Sequence, residues 1–214
     1  MPFQHEIIDL KHKPADFLER SPTGLVPLLE LDDGSLVTES VPVARAIATR
    51  LDPRQQLLPR GAEPCVNGFV NLWTQKVEPA YYDVLRAGSE PQVEVATAAY
   101  AATLLRVEEK LCAAANGNSA PAAFLLGGTF SLAEAVAAPW VERMLLMLPY
   151  WRGIDALALC REHGCVRTAR WLQAVAARPS VQRSSAGEEE MVAAAKRYYV
   201  EYASPGTRGE AALS

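Results

Sequence analysis

The sequence predicts a small α/β segment followed by a longer all-α segment. Residues 3 to 51 alternate β-branched runs with amphipathic runs and predict the order β-α-β-β-α. Residues 53 to 64 carry repeated prolines and no periodicity, and the later periodic segments all have helical spacing. We therefore expect two domains, at residues 1–52 and 65–203, joined by a linker at 53–64 and followed by a flexible tail at 204–214.

Each element of the α/β segment has a local signal. A strand is expected over Phe3 to Leu10, where β-branched and polar residues mix, and a short helix follows Pro14. The turn residues Asp32, Asp33 and Gly34 separate two apolar runs and predict a hairpin. The strands of this hairpin are expected at residues 25–31 and 35–38, and a helix at 40–51.

Helical spacing dominates the rest of the chain. The first long helix is expected at residues 66–85, with a kink or break at Pro79. Five further helices are expected at residues 93–115, 131–148, 154–162, 166–177 and 191–202.

Composition excludes several classes of function. The chain has 214 residues, 50% of them hydrophobic, and a net charge of −4, with arginines scattered along it. A nucleic acid is therefore not an expected partner. No apolar run reaches the ~20 residues of a membrane helix, so no membrane partner is expected either. We expect a cytoplasmic protein, with an organelle as the open alternative.

The cysteines follow neither a disulfide nor a metal pattern. Cys65, Cys112, Cys160 and Cys165 lack the CxxC and Cys/His spacings of zinc sites. We expect free thiols in a reducing compartment and no bound metal.

The dipeptide Val26-Pro27 is unusual because a proline enters a strand there. A cis bond would leave the N–H and C=O of Val26 free to pair with a peptide-like ligand, as an added strand does. The alternative is a trans proline on an edge strand.

Glu39 and Ser40 stand where the last helix of the first segment begins. The Ser40 hydroxyl and N–H would lie at the positive end of the helix dipole, a favourable position for a ligand carboxylate. Glu39 could accept hydrogen bonds from a ligand ammonium. The alternative is a plain capping serine beside an exposed glutamate.

In combination, VPLLELDDGSLVTES resembles the glutathione-site signature of the glutathione S-transferase superfamily. The wider stretch HEIIDLKHKPADFLERSPTGLVPLLEL is most similar to the omega class. The resemblance implies glutathione as co-substrate, held by Lys13, Val26, Pro27, Glu39 and Ser40. Lys13 would face the glycine carboxylate of the tripeptide. The resemblance also implies a partial thioredoxin-like N-terminal domain and an all-helical glutathione-transferase C-terminal domain.

The downstream sequence continues the resemblance. GGTFSLAEAVAAPWVERM resembles the buried helix of the family, with a capping box of Ser131 and Glu134, where the family usually has Asp. The resemblance implies that Trp73, Tyr81 and Tyr82 line the cleft for a second, apolar substrate, although aromatic residues at this spacing are also typical of a core.

The catalytic residue is not identified. Full-length members of the family begin with a strand and a helix that would precede Phe3, and this helix carries a catalytic Tyr, Ser or Cys. No residue here matches that position, so we expect an incomplete sheet, a partner chain that covers it, or a longer natural protein. Cys65 could substitute only if its thiol were activated.

Two functions remain as hypotheses. The first is an omega-like, glutathione-dependent thiol transferase or reductase that acts on a small-molecule thiol or electrophile, and the resemblance implies that it forms a homodimer. The second is a catalytically lapsed relative that serves as a binding or structural subunit of a larger assembly.

Overall fold

The computed structural model describes residues 3–21, 23–114 and 122–213. The chain forms two compact units, Met1–Arg60 and Gly61–Ser214, and their boundary falls inside the predicted linker at 53–64. The first unit is α/β and the second is all-helical, which confirms the predicted fold class.

The first unit contains a short helix, a hairpin and a second helix. Its elements are α1 (Ala15–Arg20), β1 (Leu28–Glu30), β2 (Leu36–Thr38) and α2 (Ser40–Ala46), and α2 continues into a π-helical turn, Ile47–Leu51. Phe17 on α1 and Ala48 in the π-helical turn are 2% exposed and contribute to the core. The remaining buried apolar side chains of this unit are Leu31, Ala46 and Leu58.

The hairpin turn is fixed by local hydrogen bonds. The Gly34 N–H donates to the Leu31 carbonyl (2.8 Å), and Gly34 has a φ of 77°, which favours glycine. The Asp33 carboxylate accepts from the N–H of Ser35 (2.9 Å). The strands pair antiparallel, with Leu28 opposite Thr38 and Glu30 opposite Leu36.

The predicted strand over Phe3 to Leu10 is wrong for this structure. Residues 3–9 have no regular secondary structure, and the only sheet among the described residues is the β1–β2 pair. The side chains of Phe3 and Ile7 are 80% and 86% exposed. Strand propensity alone does not make a strand, because the backbone also needs a neighbouring strand to pair with.

The second unit contains nine helices among its described residues. They are α3 (Glu63–Leu72), α4 (Glu78–Arg86), α5 (Glu90–Ala114), α6 (Leu132–Arg152), α7 (Ala156–Glu162), α8 (Val166–Ala176), α9 (Pro179–Ser184), α10 (Glu188–Tyr198) and α11 (Arg208–Leu213). Ala115, the last residue of the predicted second helix, lies outside the described residues. Within the described ranges, no helix combines the length and the apolarity that a membrane span requires.

Prolines act differently in the two long helical segments. A π-helical turn, Trp73–Val77, joins α3 to α4 just before Pro79, where a kink was predicted. The wider turn accommodates the ring and the missing N–H of the proline. Helix α6 instead runs through Pro139 and Pro149 to Arg152, beyond the predicted end at Leu148, and stops at Gly153 in the left-handed conformation.

Helix α6 is the centre of the second unit. It packs against α3, α4, α7, α8, α10 and α11. Its first turn carries the capping box of Ser131 and Glu134, in which the Glu134 carboxylate accepts from the N–H (2.8 Å) and hydroxyl (2.7 Å) of Ser131. The same carboxylate accepts from the N–H of Leu125 (2.7 Å) and the indole N–H of Trp171 on α8 (2.9 Å).

The other end of α6 is fixed by Arg152, which is 5% exposed. Its guanidinium donates to the carbonyls of Val84 (2.9 Å), Leu85 and Ala87 (3.1 Å) at the C-terminus of α4, and to that of Tyr202 (2.5 Å). A cation is favourable at this end of a helix, where the carbonyls lack intrahelical donors.

The expectation of a flexible tail at 204–214 is wrong for its described part. Residues Arg208–Leu213 form α11, which packs on α6. Gly209 is buried against the Trp151 ring, where an added Cβ would lie 2.3 Å from the nearest ring carbon. The Arg208 guanidinium stacks over Tyr150 (4.6 Å) and pairs with Glu188 (2.5 Å). The tail therefore completes the packing around α6, and its last residue, Ser214, lies outside the described residues.

We predict that Glu134→Gln lowers the free energy of unfolding of the second unit by about 3 kcal/mol, because an amide nitrogen would face donors that the carboxylate oxygen now accepts. Urea unfolding measures this effect. The control is Glu109→Gln on the exposed face of α5, expected to change stability by less than about 0.5 kcal/mol. Equal losses in the two variants would contradict the proposed importance of the buried carboxylate.

Candidate functional site

The hairpin register brings two of the predicted dipeptides together. Leu28 pairs with Thr38, so the preceding Pro27 and the following Glu39 stand opposite each other at the same end of the hairpin. Directly opposed residues of an antiparallel pair have Cα atoms about 5 Å apart. Val26-Pro27 and Glu39-Ser40 therefore lie at one edge of the first unit.

Val26 presents its backbone to the surroundings. Its peptide bond to Pro27 is cis, the first of the two alternatives considered from the sequence. Within the described residues, neither its N–H nor its C=O forms a hydrogen bond, and its side chain is 46% exposed. A free donor and a free acceptor on one residue are what an extended peptide ligand needs for pairing.

The start of α2 offers unpaired donors. No side chain caps this helix, and the described part of the chain provides no acceptor for the N–H groups of Ser40 and Val41 or for the Ser40 hydroxyl. Pro42 has no N–H, and the N–H of Val43 already donates to the Glu39 carbonyl (2.9 Å). The helix start therefore has two backbone donors and one hydroxyl available for an anion.

Glu39 has an unusual backbone conformation. Its φ is 70° and its ψ is 140°, in a region that residues other than glycine rarely adopt. Such strained positions are concentrated at functional sites. The carboxylate of Glu39 is exposed beside the helix start, where it could accept hydrogen bonds from a ligand ammonium.

Lys13 reaches the same edge from the start of α1. Its side chain is half-buried, and its ammonium lies against Gly24, in the loop that leads to Val26. None of the described carboxylates is within ion-pair distance of this ammonium. The cation is therefore available to a ligand anion.

These groups are chemically complementary to a short, extended, charged peptide. The Val26 backbone can pair with the peptide backbone. The donors at the start of α2 and the Glu39 carboxylate suit a carbon that carries both a carboxylate and an ammonium, while the Lys13 ammonium suits a second carboxylate. The described residues contain no cluster of His, Cys, Asp or Glu that could hold a metal ion.

Two of the aromatic residues predicted for a second-substrate cleft are core residues in the structure. Trp73 is 0% exposed and packs against Phe69 (6.0 Å between ring centroids) and Trp171 (5.4 Å). Tyr81 is 1% exposed, and burial holds the pKa of its hydroxyl far above its usual range. Neither side chain offers a surface to a substrate, because helix packing around α6 and α8 covers both.

Tyr82 is the member of this set with accessible surface. It is half-buried, and its ring lies 4.9 Å from that of Tyr199, with the Arg86 guanidinium 5.1 Å from its centroid. Burial, with a smaller effect from Tyr199, raises the pKa of its hydroxyl. Tyr82 is therefore a neutral aromatic surface next to a cation, and its role in binding a second substrate stays a prediction.

The cysteines are free thiols and none is activated. Burial raises the pKa of the half-buried Cys65 thiol, and the Lys110 ammonium offsets only part of that effect. Burial raises the pKa of Cys160 to about 12, and the pKa of Cys112 and of Cys165 is raised as well. A thiol acts as a nucleophile through its thiolate, so these four residues are poor nucleophiles at neutral pH.

Two residues that shape the site, Gly24 and Pro42, were not predicted from the sequence. Gly24 is buried beneath the Lys13 ammonium and has a φ of 61°. Pro42 removes a donor that would otherwise be the third free N–H at the start of α2. Gly24 belongs to a stretch that carries the resemblance and Pro42 lies just after one, but their effect depends on contacts that spacing does not reveal.

Comparison with known proteins is consistent with this arrangement. The family of glutathione S-transferase N-terminal domains matches residues 1–50. Glutathione S-transferase omega-1 of Mus musculus is 29% identical over 144 residues, which cover 66% of this chain and 57% of the mouse protein. The chain thus spans little more than half the length of the curated relatives it matches.

Solved structures show the same fold. Glutathione transferase Omega 3C from Trametes versicolor superposes with a TM-score of 0.72 at 22% identity, covering 86% of this chain and 78% of the Trametes chain. Dehydroascorbate reductase from Chlamydomonas reinhardtii gives a TM-score of 0.63 at 23% identity, covering 92% of this chain and 83% of the other.

An α/β unit built on a hairpin and followed by an all-helical unit defines the class as a glutathione-transferase fold. Within that class, residues 1–50 match the glutathione S-transferase N-terminal domain family, and the chain is similar to omega-class glutathione S-transferases.

We predict that the rate of Cys65 alkylation by iodoacetamide rises about tenfold from pH 7 to pH 8. Because the pKa of Cys65 is raised, the thiolate is a small fraction of the residue at both pH values, and this fraction grows about tenfold per pH unit. Peptide mass spectrometry measures the rate at this residue. The control is the chain unfolded in urea, where Cys65 should react faster at the same pH. A rate that is already constant between pH 7 and pH 8 would show an activated thiol instead.

Proposed function

We propose that this protein binds glutathione and supports glutathione-dependent thiol transfer or disulfide reduction. The observation that carries this proposal is the edge of the first unit, where a free backbone pair, an uncapped helix start, a carboxylate and an unpaired ammonium occur together. Glutathione contains a complementary group for each of them.

Each residue has a distinct role in this proposal. Val26 pairs with the backbone of the cysteinyl residue of glutathione, as a neighbouring strand would, and Pro27 leads this residue into β1. Ser40 and the N–H of Val41 bind the γ-glutamyl carboxylate at the start of α2, and Glu39 accepts from the γ-glutamyl ammonium. Lys13 binds the glycine carboxylate.

The reaction is thiol–disulfide exchange or attack on an electrophile. In exchange, the glutathione thiolate attacks one sulfur of a disulfide, a new S–S bond forms, and the other sulfur leaves as a thiolate that takes up a proton. In the reaction with an electrophile, the thiolate attacks an electrophilic carbon, a C–S bond forms, and the group displaced from that carbon leaves with the bonding electron pair. The co-reactant is accordingly a small-molecule thiol in disulfide form or an electrophile. The residue that activates the glutathione thiol is not assigned.

The similarity to known proteins supports this choice of reaction. The omega-1 relative of mouse is a glutathione S-transferase, and the Chlamydomonas protein of the same fold is a dehydroascorbate reductase. Four free cysteines agree with the reducing conditions of the cytoplasm.

A homodimer is part of the proposal. The helical unit exposes large apolar side chains on α5, with Val95 72% and Leu105 41% exposed. Exposed apolar surface on a long helix favours association with another chain. A second copy that packs on α5 would bury it, and light scattering of the full chain gives the mass that distinguishes monomer from dimer.

We predict that Lys13→Gln weakens glutathione binding about tenfold, equivalent to about 1.4 kcal/mol, because the charge facing the glycine carboxylate is lost. Titration calorimetry of the full chain with glutathione measures the change.

The matched control is Lys11→Gln, which removes the same charge from an exposed side chain of the same segment. Its affinity should stay within about twofold of the wild type, since long-range attraction between exposed charges is screened by salt. If the two variants lose affinity equally, the effect comes from net charge and not from a contact. If the wild type does not bind glutathione, the proposed function is wrong.

A further inference from the structure

Hydrogen bonds connect Gly24, in the segment between α1 and β1, back to the end of α1. The Gly24 N–H donates to the Ser21 carbonyl (2.8 Å), and the Ser21 N–H donates to the Phe17 carbonyl at the end of α1 (2.7 Å). Ser21 is 0% exposed, and its hydroxyl donates to the Leu25 carbonyl (3.2 Å). Gly24, two residues before Val26, is therefore linked through Ser21 to the end of α1.

Gly24 has little room for a side chain. A Cβ at this position would lie 3.2 Å from the Lys13 Nζ and 3.3 Å from Cδ2 of Leu18, closer than ordinary van der Waals contact. A larger residue would therefore shift the Lys13 ammonium and the Leu18 side chain by a few tenths of an ångström. Gly34 in the hairpin turn provides a comparison, because its φ is 77° but nothing lies within 4 Å of its Cβ position.

The consequence is a cation with a defined position. A free lysine side chain has many rotamers and loses entropy when a ligand orders it. Here the stem is half-buried and the ammonium lies against Gly24, which limits the positions open to the ammonium before any ligand arrives. Gly24 is two residues before Val26 in the chain, and the ammonium has no acidic partner among the residues that the structure describes.

We propose that Gly24 is a positioning residue that determines specificity: it leaves the space in which the Lys13 ammonium lies, and so makes the site select thiol peptides whose C-terminal carboxylate is free. This inference rests on the proposed function. It adds Gly24 as the residue that sets the position of the Lys13 ammonium, and it names the C-terminal carboxylate as the ligand group that the site selects.

The test compares two ligands on the full-length protein. Glutathione carries the free glycine carboxylate, and its glycine ethyl ester lacks that charge but keeps every other group. We expect the wild type to bind glutathione about tenfold more tightly than the ester, because one charge-assisted contact is lost. Titration calorimetry gives both dissociation constants, and their ratio is the selectivity.

Gly24→Ala should reduce this selectivity about threefold to fivefold, because the added Cβ displaces the ammonium while leaving the rest of the site in place. The control is Gly34→Ala, which introduces comparable left-handed backbone strain without the contact and should leave the ratio unchanged. If Gly24→Ala does not fold, Gly24→Asn is the second variant, since asparagine tolerates positive φ better than alanine and still adds a Cβ.

A double-mutant cycle separates positioning from a structural effect. In the Lys13→Gln background the ammonium is already absent, so Gly24→Ala should cause no further change in selectivity. The proposal is overturned if Gly24→Ala weakens binding of glutathione and of the ester equally, or if its effect is the same with and without Lys13.

The outcomes also distinguish this proposal from the one on which it rests. If the wild type binds neither ligand, the proposed function fails, and the inference fails with it. If the wild type binds glutathione selectively and Gly24→Ala retains that selectivity, only the role of Gly24 is wrong. A nuclear Overhauser effect between the Lys13 side chain and the Gly24 Hα in the wild type tests the contact itself, without a variant.

Discussion

The buried carboxylate of Glu134 is the interaction on which the helical unit depends. It is 0% exposed and accepts hydrogen bonds from the backbone of Leu125, the indole of Trp171, and both the N–H and the hydroxyl of Ser131. A buried charge is tolerated only when it is fully hydrogen-bonded, and here each oxygen has two donors. The same group therefore caps α6, holds the preceding loop and fixes α8.

The end of α6 repeats this principle with the opposite charge. Arg152 donates to the carbonyls that end α4 and to the segment that follows α10. The aromatic core lies around the same helix, where the Trp73 ring stacks on Phe69 and is tilted against Trp171. Two buried charged groups at the ends of one helix thus determine how the surrounding helices pack. The first unit has no comparable core and relies on a hairpin, two short helical segments and local hydrogen bonds.

The parts of the structure that the sequence predicted best are those with local causes. The hairpin follows from the turn residues Asp33 and Gly34, and the capping box follows from the spacing of Ser131 and Glu134. The closeness of Val26-Pro27 to Glu39-Ser40 follows from the pairing of β1 with β2. Each of these features depends on residues that are close in the chain or opposite in one ladder.

The errors have non-local causes. Residues 3 to 10 have the composition of a strand but no neighbouring strand in the described part of the chain. Trp73 and Tyr81 have the spacing of a helix face, but which face is buried depends on the helices that pack against it. The tail helix forms because Gly209 fits against Trp151, a contact between distant parts of the chain. Gly24 was missed for the same reason, since its importance lies in the Lys13 side chain above it.

The most direct test of the account is a titration of isotope-labelled protein with glutathione, followed by the amide resonances of the first unit. Pairing with the Val26 backbone and binding of a carboxylate at the start of α2 predict that the amide signals of Val26, Ser40 and Val41 shift together and saturate with one dissociation constant. Saturable shifts confined to the helical unit, with these three amides unchanged, would contradict the account.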